Sequence, residues 1–537
     1  MKQISAQVAG DMVHDGAPVA LLDVREAGQF GEGHALFAVP APYSQLELII
    51  GDLVPRLAER IVLMDDDDGV AERAAKRLSD LGYTNIHRVE GGVGAWGRAG
   101  LCLYKGVNVP MKTLGELAEH VWHPQFLSPE GLKQWKEEER EFGFFDSRPP
   151  AEYAKMRVPG AVCLPNGELA HRITAVDPAE QLPIVITCAG RTRGIIGAIG
   201  LKLSGYAGPI LALENGTQGW ALSGEMLERD NAVSPFPELT AHDLHQSRER
   251  ADKLMARFAI PEIDGEMAAA MLRDSGTSTY FFDTRSASEV ENDPVPGAAH
   301  VPGVQLVQSV DQWVGTRHAR LILCCDTGLR STITAFWLRQ VGFDVHVLRV
   351  NEASKSILEG IALRIRPPLT HLAEISADEA LRQQKAGALL LDIRGSMEYR
   401  KGHVKGAHWA IRPRLASALA GHQNSAIILI GDRSAAALVA QDLRDLGVAD
   451  LCRVEGGQAA LVAAGATMTA SQDSPEDAAC IDHLFFVHDR HDGNMEASRR
   501  YLAWETGLIE QLSVRERAEF KLGRGDDLIH NSKSLKN

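Results

Sequence analysis

Short apolar runs alternate with amphipathic stretches along most of this chain. Val19 to Val24 and Arg60 to Met64 read as buried strands, and Ile86 to Val89 as another. Between them, Ala71 to Leu81 carries helical spacing through Ala74, Leu78 and Leu81. Near-continuous apolar strands joined by helices predict a parallel sheet covered on both faces. In such a sheet, chemistry belongs at the carboxyl ends of the strands.

The pattern occurs four times. Each copy opens with an apolar run closed by Asp-x-Arg: Asp23/Arg25, Asp146/Arg148, Asp283/Arg285 and Asp392/Arg394. A second apolar run ends at an identical offset from that aspartate in three copies, at Asp65, Cys188 and Cys325, and slightly sooner in the last, at Gly431. A third signal follows at a nearly constant further spacing: Glu90-Gly91-Gly92, Glu214-Asn215-Gly216, Asn351-Glu352-Ala353 and Glu455-Gly456-Gly457. Trp96 and Trp220 each follow the last glycine by one helical turn. Repeats of about 110–135 residues are domain-sized, so each should hold its own core. The expected boundaries are 1–105, 106–232, 233–367 and 368–470, with a tail at 471–537. Apolar-periodic helices are expected between copies, around Gly106 to Pro124 and Val233 to Glu262, and in the tail near Met495 to Phe520.

The chemistry concentrates in Cys188-Ala189-Gly190-Arg191-Thr192-Arg193, which follows the run Pro183 to Thr187. A strand that ends in a tight loop opening a helix turns several backbone N–H groups toward one point. A cysteine there should have its thiolate stabilised by those dipoles and by the two arginines, giving a depressed pKa. Cys188 is the expected nucleophile. Arg191 and Arg193 are the expected anion-binding groups, with backbone donors from Ala189 to Arg193, Gly190 and Thr192 among them, forming the cradle.

These motifs, with the turns Pro159-Gly160-Ala161, Pro296-Gly297-Ala298 and Lys405-Gly406-Ala407, resemble the rhodanese (sulfurtransferase) superfamily over about residues 1 to 468. The whole looks like a bacterial four-domain rhodanese-related sulfurtransferase. The resemblance implies an α/β fold: four tandem rhodanese-like domains, each a doubly wound parallel sheet with helices on both faces, plus a partly helical tail. It implies that the loop cysteine takes a sulfane sulfur from a small anionic donor, forms a persulfide and passes the sulfur to cyanide or a thiol. No cofactor is required by that reaction.

The copies differ at the cysteine position. The first has Asp65, within Asp65-Asp66-Asp67-Asp68, and the fourth has Gly431; neither supplies a nucleophile, and the aspartate run should repel an anion. Both keep Asp-x-Arg, so Asp146 and Arg148 are assigned a supporting role. The third loop, Cys325-Asp326-Thr327-Gly328-Leu329-Arg330, has the right length, with Arg330 as an anion-binding candidate. Asp326 should oppose a thiolate there, and both a second sulfur site and a decayed copy stay open. Cys324 should point to the other strand face, into packing.

Other classes fit less well. Phosphatase loops resemble Cys-x5-Arg, whereas Cys188 to Arg193 and Cys325 to Arg330 are Cys-x4-Arg, a smaller cradle. A largely non-catalytic scaffold or sulfur-carrier binding protein is the alternative left open by the two copies without cysteine. Cys480, His483, His488 and His491 cluster in sequence, but at no compact ligand spacing, so no metal site is expected. A formal net charge of −15 leaves no footprint for nucleic acid, so any positive potential must be local to the second loop. Met1 to Gly16 lacks the apolar core of a secretory signal, and no apolar run is long enough to span a membrane. Seven scattered cysteines read as reduced thiols of a cytoplasmic protein.

Overall fold

The computed structural model describes residues 1–361, 371–422, 425–488 and 494–523, without the side chains of 487 and 488. The described residues form four five-stranded sheets, one per copy. Within each, the strands lie in the spatial order first, fifth, fourth, second, third, and every pairing is parallel. In the second copy that order is Gln125–Leu127, Ile210–Leu213, Ile184–Thr187, Gly143–Asp146 and Val162–Cys163. The strand that ends at the loop is therefore central. Ile184, Val185 and Ile186 are buried on both faces, as a β-branched run in a covered parallel sheet should be.

The first copy follows its hydrophobic pattern: strands at Ala20–Asp23, Ile61–Met64 and Ile86–Val89, and a helix at Val70–Asp80. The helices between copies are Val109–Trp122 and Ala241–Phe258. Two antiparallel ribbons depart from the purely parallel expectation: Met156–Arg157 with Glu228–Arg229, and His403–Val404 with Met468–Thr469. Each lets a copy's closing segment pair back on itself.

The repeated motifs have repeated jobs. In all four copies the arginine of Asp-x-Arg folds back on its aspartate, at 2.6, 2.6, 2.7 and 2.6 Å. The same guanidinium donates to a backbone carbonyl at a fixed position further on: Gly33, Met156, Asp293 and Gly402. Such charge-assisted bonds satisfy a buried pair and pin the following turn. Trp96 and Trp220 do another shared job, donating to the carbonyls of Cys102 and Met226.

The chain divides into two compact units. One holds the first and fourth copies with the tail up to His488. A buried cluster joins these copies: Arg412 on Glu47 (2.6 and 2.7 Å) and Asp442 (3.0 Å), with Arg77 also on Asp442 (2.6 Å). The other unit holds Met12–Val19, the second and third copies and the tail from Asp489. The tail helices there are Met495–Thr506, Leu508–Gln511 and Val514–Ala518.

Candidate active site

Cys188 stands where the strand Ile184–Thr187 ends, and the helix Thr192–Leu203 starts just beyond it. The loop is held from beneath by the Glu-Asn-Gly turn. Thr217 N–H donates to the Cys188 carbonyl (2.8 Å) and Gln218 N–H to that of Ala189 (3.1 Å). Gly216, at φ +53°, is required here, because a Cβ would lie 2.2 Å from the Cys188 carbonyl oxygen. Gly115 serves the other side: a Cβ there would lie 2.9 Å from the Thr192 methyl, so its absence lets the helix Val109–Trp122 close on the loop.

The cradle forms, with a changed membership. The N–H groups of Gly190 and Gly194 face the Cys188 sulfur. Ala189 contributes its carbonyl, which also accepts from Thr217 Oγ1 and Gln218 Nε2, and so anchors the loop rather than facing the sulfur. Gly194 lies just past the Cys188–Arg193 stretch; what fits it to the role is the first turn of a helix, where N–H groups lack partners.

Three expectations are corrected. First, Cys188 is 2 % exposed, and burial pushes its thiol above the ordinary value of 9.0. Arg193 and the Gly194 and Gly190 N–H groups pull it down, and a carboxylate of the tail, Glu505, pushes it up. Desolvation of the thiolate outweighs the dipoles of the loop. Second, the Arg191 guanidinium is taken up by carboxylates rather than left open to an anion. It lies on Glu116 (2.8 and 3.0 Å) and Glu119, both on the helix Val109–Trp122. Third, the positive charge expected at the loop is offset by acids. Arg193 stands beside the sulfur but binds Glu152 through both terminal nitrogens (2.6 and 2.8 Å). Glu116, Glu119, Glu152 and Glu505 thus surround two arginines.

Of the remaining expected residues, Thr192 is buried and its hydroxyl donates to Glu505 Oε1 (2.9 Å). Asp146 and Arg148 form the buried pair common to all copies, on the strand beside the loop strand, with Asp146 in register with Thr187. Glu152 recurs at the same offset from the Asp-x-Arg aspartate as Glu289 and Glu398, a signal that could have found it, whereas Glu116 and Glu505 lie outside the repeated motifs.

The copies without cysteine show what the cradle holds. In the first, the Asp65 carboxylate sits where the thiol would be, and accepts from the N–H of Asp67 (3.1 Å) and Ala71 (2.9 Å). These are the positions of Gly190 and Gly194. The aspartate does more than repel an anion: it occupies the anion's place. In the fourth, Asp432 accepts from the N–H of Ser434 and Ala435 at the same helix start (2.8 and 3.2 Å).

The third loop is closed differently. Cys325 is fully buried, and burial pushes its thiol up, with Arg330 lowering and Asp326 raising it. Arg330, 1 % exposed, carries three carboxylates: Glu168 (2.7 Å), Glu289 (2.6 and 2.8 Å) and Asp326 (2.7 Å). Glu168 comes from the second copy, on the helix Asn166–Val176, which also supplies His171, 4.0 Å from Asp326. The left-handed pair Asn215 (φ +56°) and Gly216 has no counterpart here: Asn351 is extended and caps the helix Glu352–Leu358. Cys324 packs into the core with Phe281, Ile322 and Leu348.

His171, Glu289 and Asp326 bring possible metal-ligand atoms within 4.8 Å of one another. The Arg330 guanidinium bonds both carboxylates and already supplies the positive charge there. Near the tail, Cys480 is buried with its sulfur on the Glu476 carbonyl, and His483 rests edge-on against Phe485. The His488 side chain and His491 lie outside the described residues. No helix among the described residues is long and apolar enough to cross a membrane.

The rhodanese-like domain profile matches the chain at residues 5–99, 128–223, 265–350 and 376–464. A crystal structure of a thiosulfate sulfurtransferase from Pseudomonas aeruginosa is similar over 98 % of this chain and 100 % of that one, at 32 % identity and a TM-score of 0.89. The rhodanese-like domain of an Anabaena sp. protein matches 19 % of this chain and 80 % of its own, at 21 % identity and a TM-score of 0.17. A centrosomal protein of 41 kDa from Xenopus tropicalis is 25 % identical over 99 residues, 17 % of this chain and 27 % of that protein, so only about a quarter of that relative's length is spanned.

Proposed function

The chain belongs to the rhodanese-like family, and on that premise we propose that it is a sulfurtransferase acting through a persulfide on Cys188. The Cys188 thiolate attacks the outer sulfur of a small anionic donor, thiosulfate-like or a persulfide. The bond within the donor breaks, its electron pair leaves with sulfite or the donor thiolate, and the sulfane sulfur stays on Cys188. Cyanide or a thiol then takes that sulfur, and the thiolate returns. Gly190 and Gly194 N–H stabilise the persulfide anion, and Arg193 balances its charge. Arg191, Thr192 and Ala189 hold the loop, and Asp146 with Arg148 supports it from the neighbouring strand.

One observation carries this reading. The two N–H positions that face Cys188 hold a carboxylate in the first copy, so the cradle is built for an anion at the place of the thiol. The second domain, within 106–232, is then the working one. The first (1–105), third (233–367) and fourth (368–470) are accessory, each with its loop filled by the chain's own groups. Cys325 is assigned no turnover. Seven free cysteines support a reducing, cytoplasmic setting. Thiocyanate formation from thiosulfate and cyanide, or from glutathione persulfide and cyanide, tests the proposal. Wild type and Cys325→Ala should turn over alike and Cys188→Ala should not. Activity retained in Cys188→Ala would overturn it.

A further inference from the structure

The tail does more than end the chain. Its helix Met495–Thr506 packs on the helices Gly216–Leu222 and Val109–Trp122, the two that frame the Cys188 loop. Lys112 lies over the rings of Tyr501 (5.5 Å) and Trp504 (5.0 Å) and sets the seating of the tail helix. This brings Glu505 to the loop from beyond the last repeat. Glu505 is 2 % exposed. Its Oε1 accepts from Thr192, and its Oε2 would lie 3.3 Å from a Cβ placed on Gly190, one of the two cradle residues. That second oxygen is buried with no hydrogen-bond partner among the described residues. Its charge acts on Cys188 and on Arg191.

A buried carboxylate with an open oxygen is costly in a folded protein. Holding Thr192 does not require it, because a glutamine would accept the same bond. An anionic donor gains nothing from it either. The open oxygen suits a ligand that arrives with a proton to give.

We propose that Glu505 selects the acceptor, taking the hydrogen bond and then the proton of a neutral thiol that approaches the loaded loop. The inference rests on Cys188 as the sulfur carrier. The thiol proton passes to Glu505 and the thiol sulfur bonds to the outer sulfur of the persulfide. The bond from Cys188 Sγ to that sulfur breaks, with its electron pair going to Sγ. The proton on Glu505 is then handed to the departing product persulfide, which restores the carboxylate. Charge balances throughout, and no oxidant or reductant is consumed. Glu116 is consistent with this setting: burial, partly offset by Arg191, pushes it up to about 7, with Glu505 adding to the rise.

The test uses the full chain as wild type, Glu505→Gln and Glu505→Asp. Each is loaded from thiosulfate or glutathione persulfide, freed of donor, and discharged with either sulfite or 2-mercaptoethanol while intact mass follows the extra sulfur. At a pH where it is fully ionised, sulfite brings no proton. In Glu505→Gln, discharge by the thiol should slow about tenfold or more, in line with loss of a general base. Discharge by sulfite should hold or quicken, since a negative charge has been removed. Glu505→Asp should recover part of the thiol rate. Equal slowing with both acceptors would mean a structural role, and no change with either would mean none; each overturns the proposal. Failure of wild type to load sulfur would instead overturn Cys188 as carrier and take this inference with it.

Discussion

The second and third loops are the same length, open the same kind of helix and place a cysteine at the same strand end, yet their arginines are held differently. In the second, Arg193 has a single carboxylate partner, Glu152, whose side chain is 41 % exposed, and the residue after the cysteine is alanine. In the third, Arg330 is enclosed by Glu168, Glu289 and Asp326, and the residue after the cysteine is one of those acids. The glutamates Glu152 and Glu289 are equivalent, at the same offset from the Asp-x-Arg aspartate. The difference therefore lies in the two added acids. A guanidinium shared among the buried Glu168 and the half-buried Glu289 and Asp326 has become structural, and its charge at the cysteine beside it is offset by Asp326.

The comparison breaks most sharply on the arginines. Arg193→Met should lower the rate of sulfur loading on Cys188 by about 10²–10³-fold, as removal of a preorganised charge does. Arg330→Met should leave loading untouched but destabilise the fold by about 3 kcal/mol, because it strands the buried Glu168 beside two half-buried carboxylates. Loading kinetics and urea denaturation of both variants check this, and equal effects on loading would erase the distinction.

A smaller effect is expected at the turns. Gly216→Ala forces a Cβ against the Cys188 carbonyl at a positive φ, and should displace the loop at a cost of about 1–3 kcal/mol with slowed loading. The third copy has Ala353 at the equivalent place, in a helix capped by Asn351. Ala353→Gly should therefore cost no more than about 1 kcal/mol and change no rate. Chemical denaturation and loading rates of the two variants, side by side, check both statements.

The gentlest test is pH. The Cys188 thiol lies above 9.0, and only the thiolate attacks. The thiolate fraction therefore grows as pH rises toward and past that value, and loading should quicken with it in a rapid-mixing experiment. A rate already level at neutral pH would contradict a raised Cys188 thiol.

Four repeats, the strand ends and the cysteine loop are legible in the sequence because they are local patterns: hydrophobic periodicity and turn chemistry act over a few residues. The unreadable part is long-range. Arg191 reads as a ligand group because its partners, Glu116 and Glu119, sit in the helix that precedes the whole second sheet. Arg330 reads as available because Glu168 belongs to a different copy. The raised thiol has the same origin: proximity of arginines in sequence suggests a lowered pKa, but burial is a property of the packed domain. Asp65 reads as charge alone, and only its bonds to Asp67 and Ala71 show it standing in for a ligand.

The most direct measurement is intact mass of the reduced protein after a pulse of thiosulfate or glutathione persulfide, for wild type, Cys188→Ala and Cys325→Ala. Wild type and Cys325→Ala should each gain one sulfur atom, and Cys188→Ala none. Sulfur that persists in Cys188→Ala, or is lost with Cys325→Ala, would contradict a single working loop.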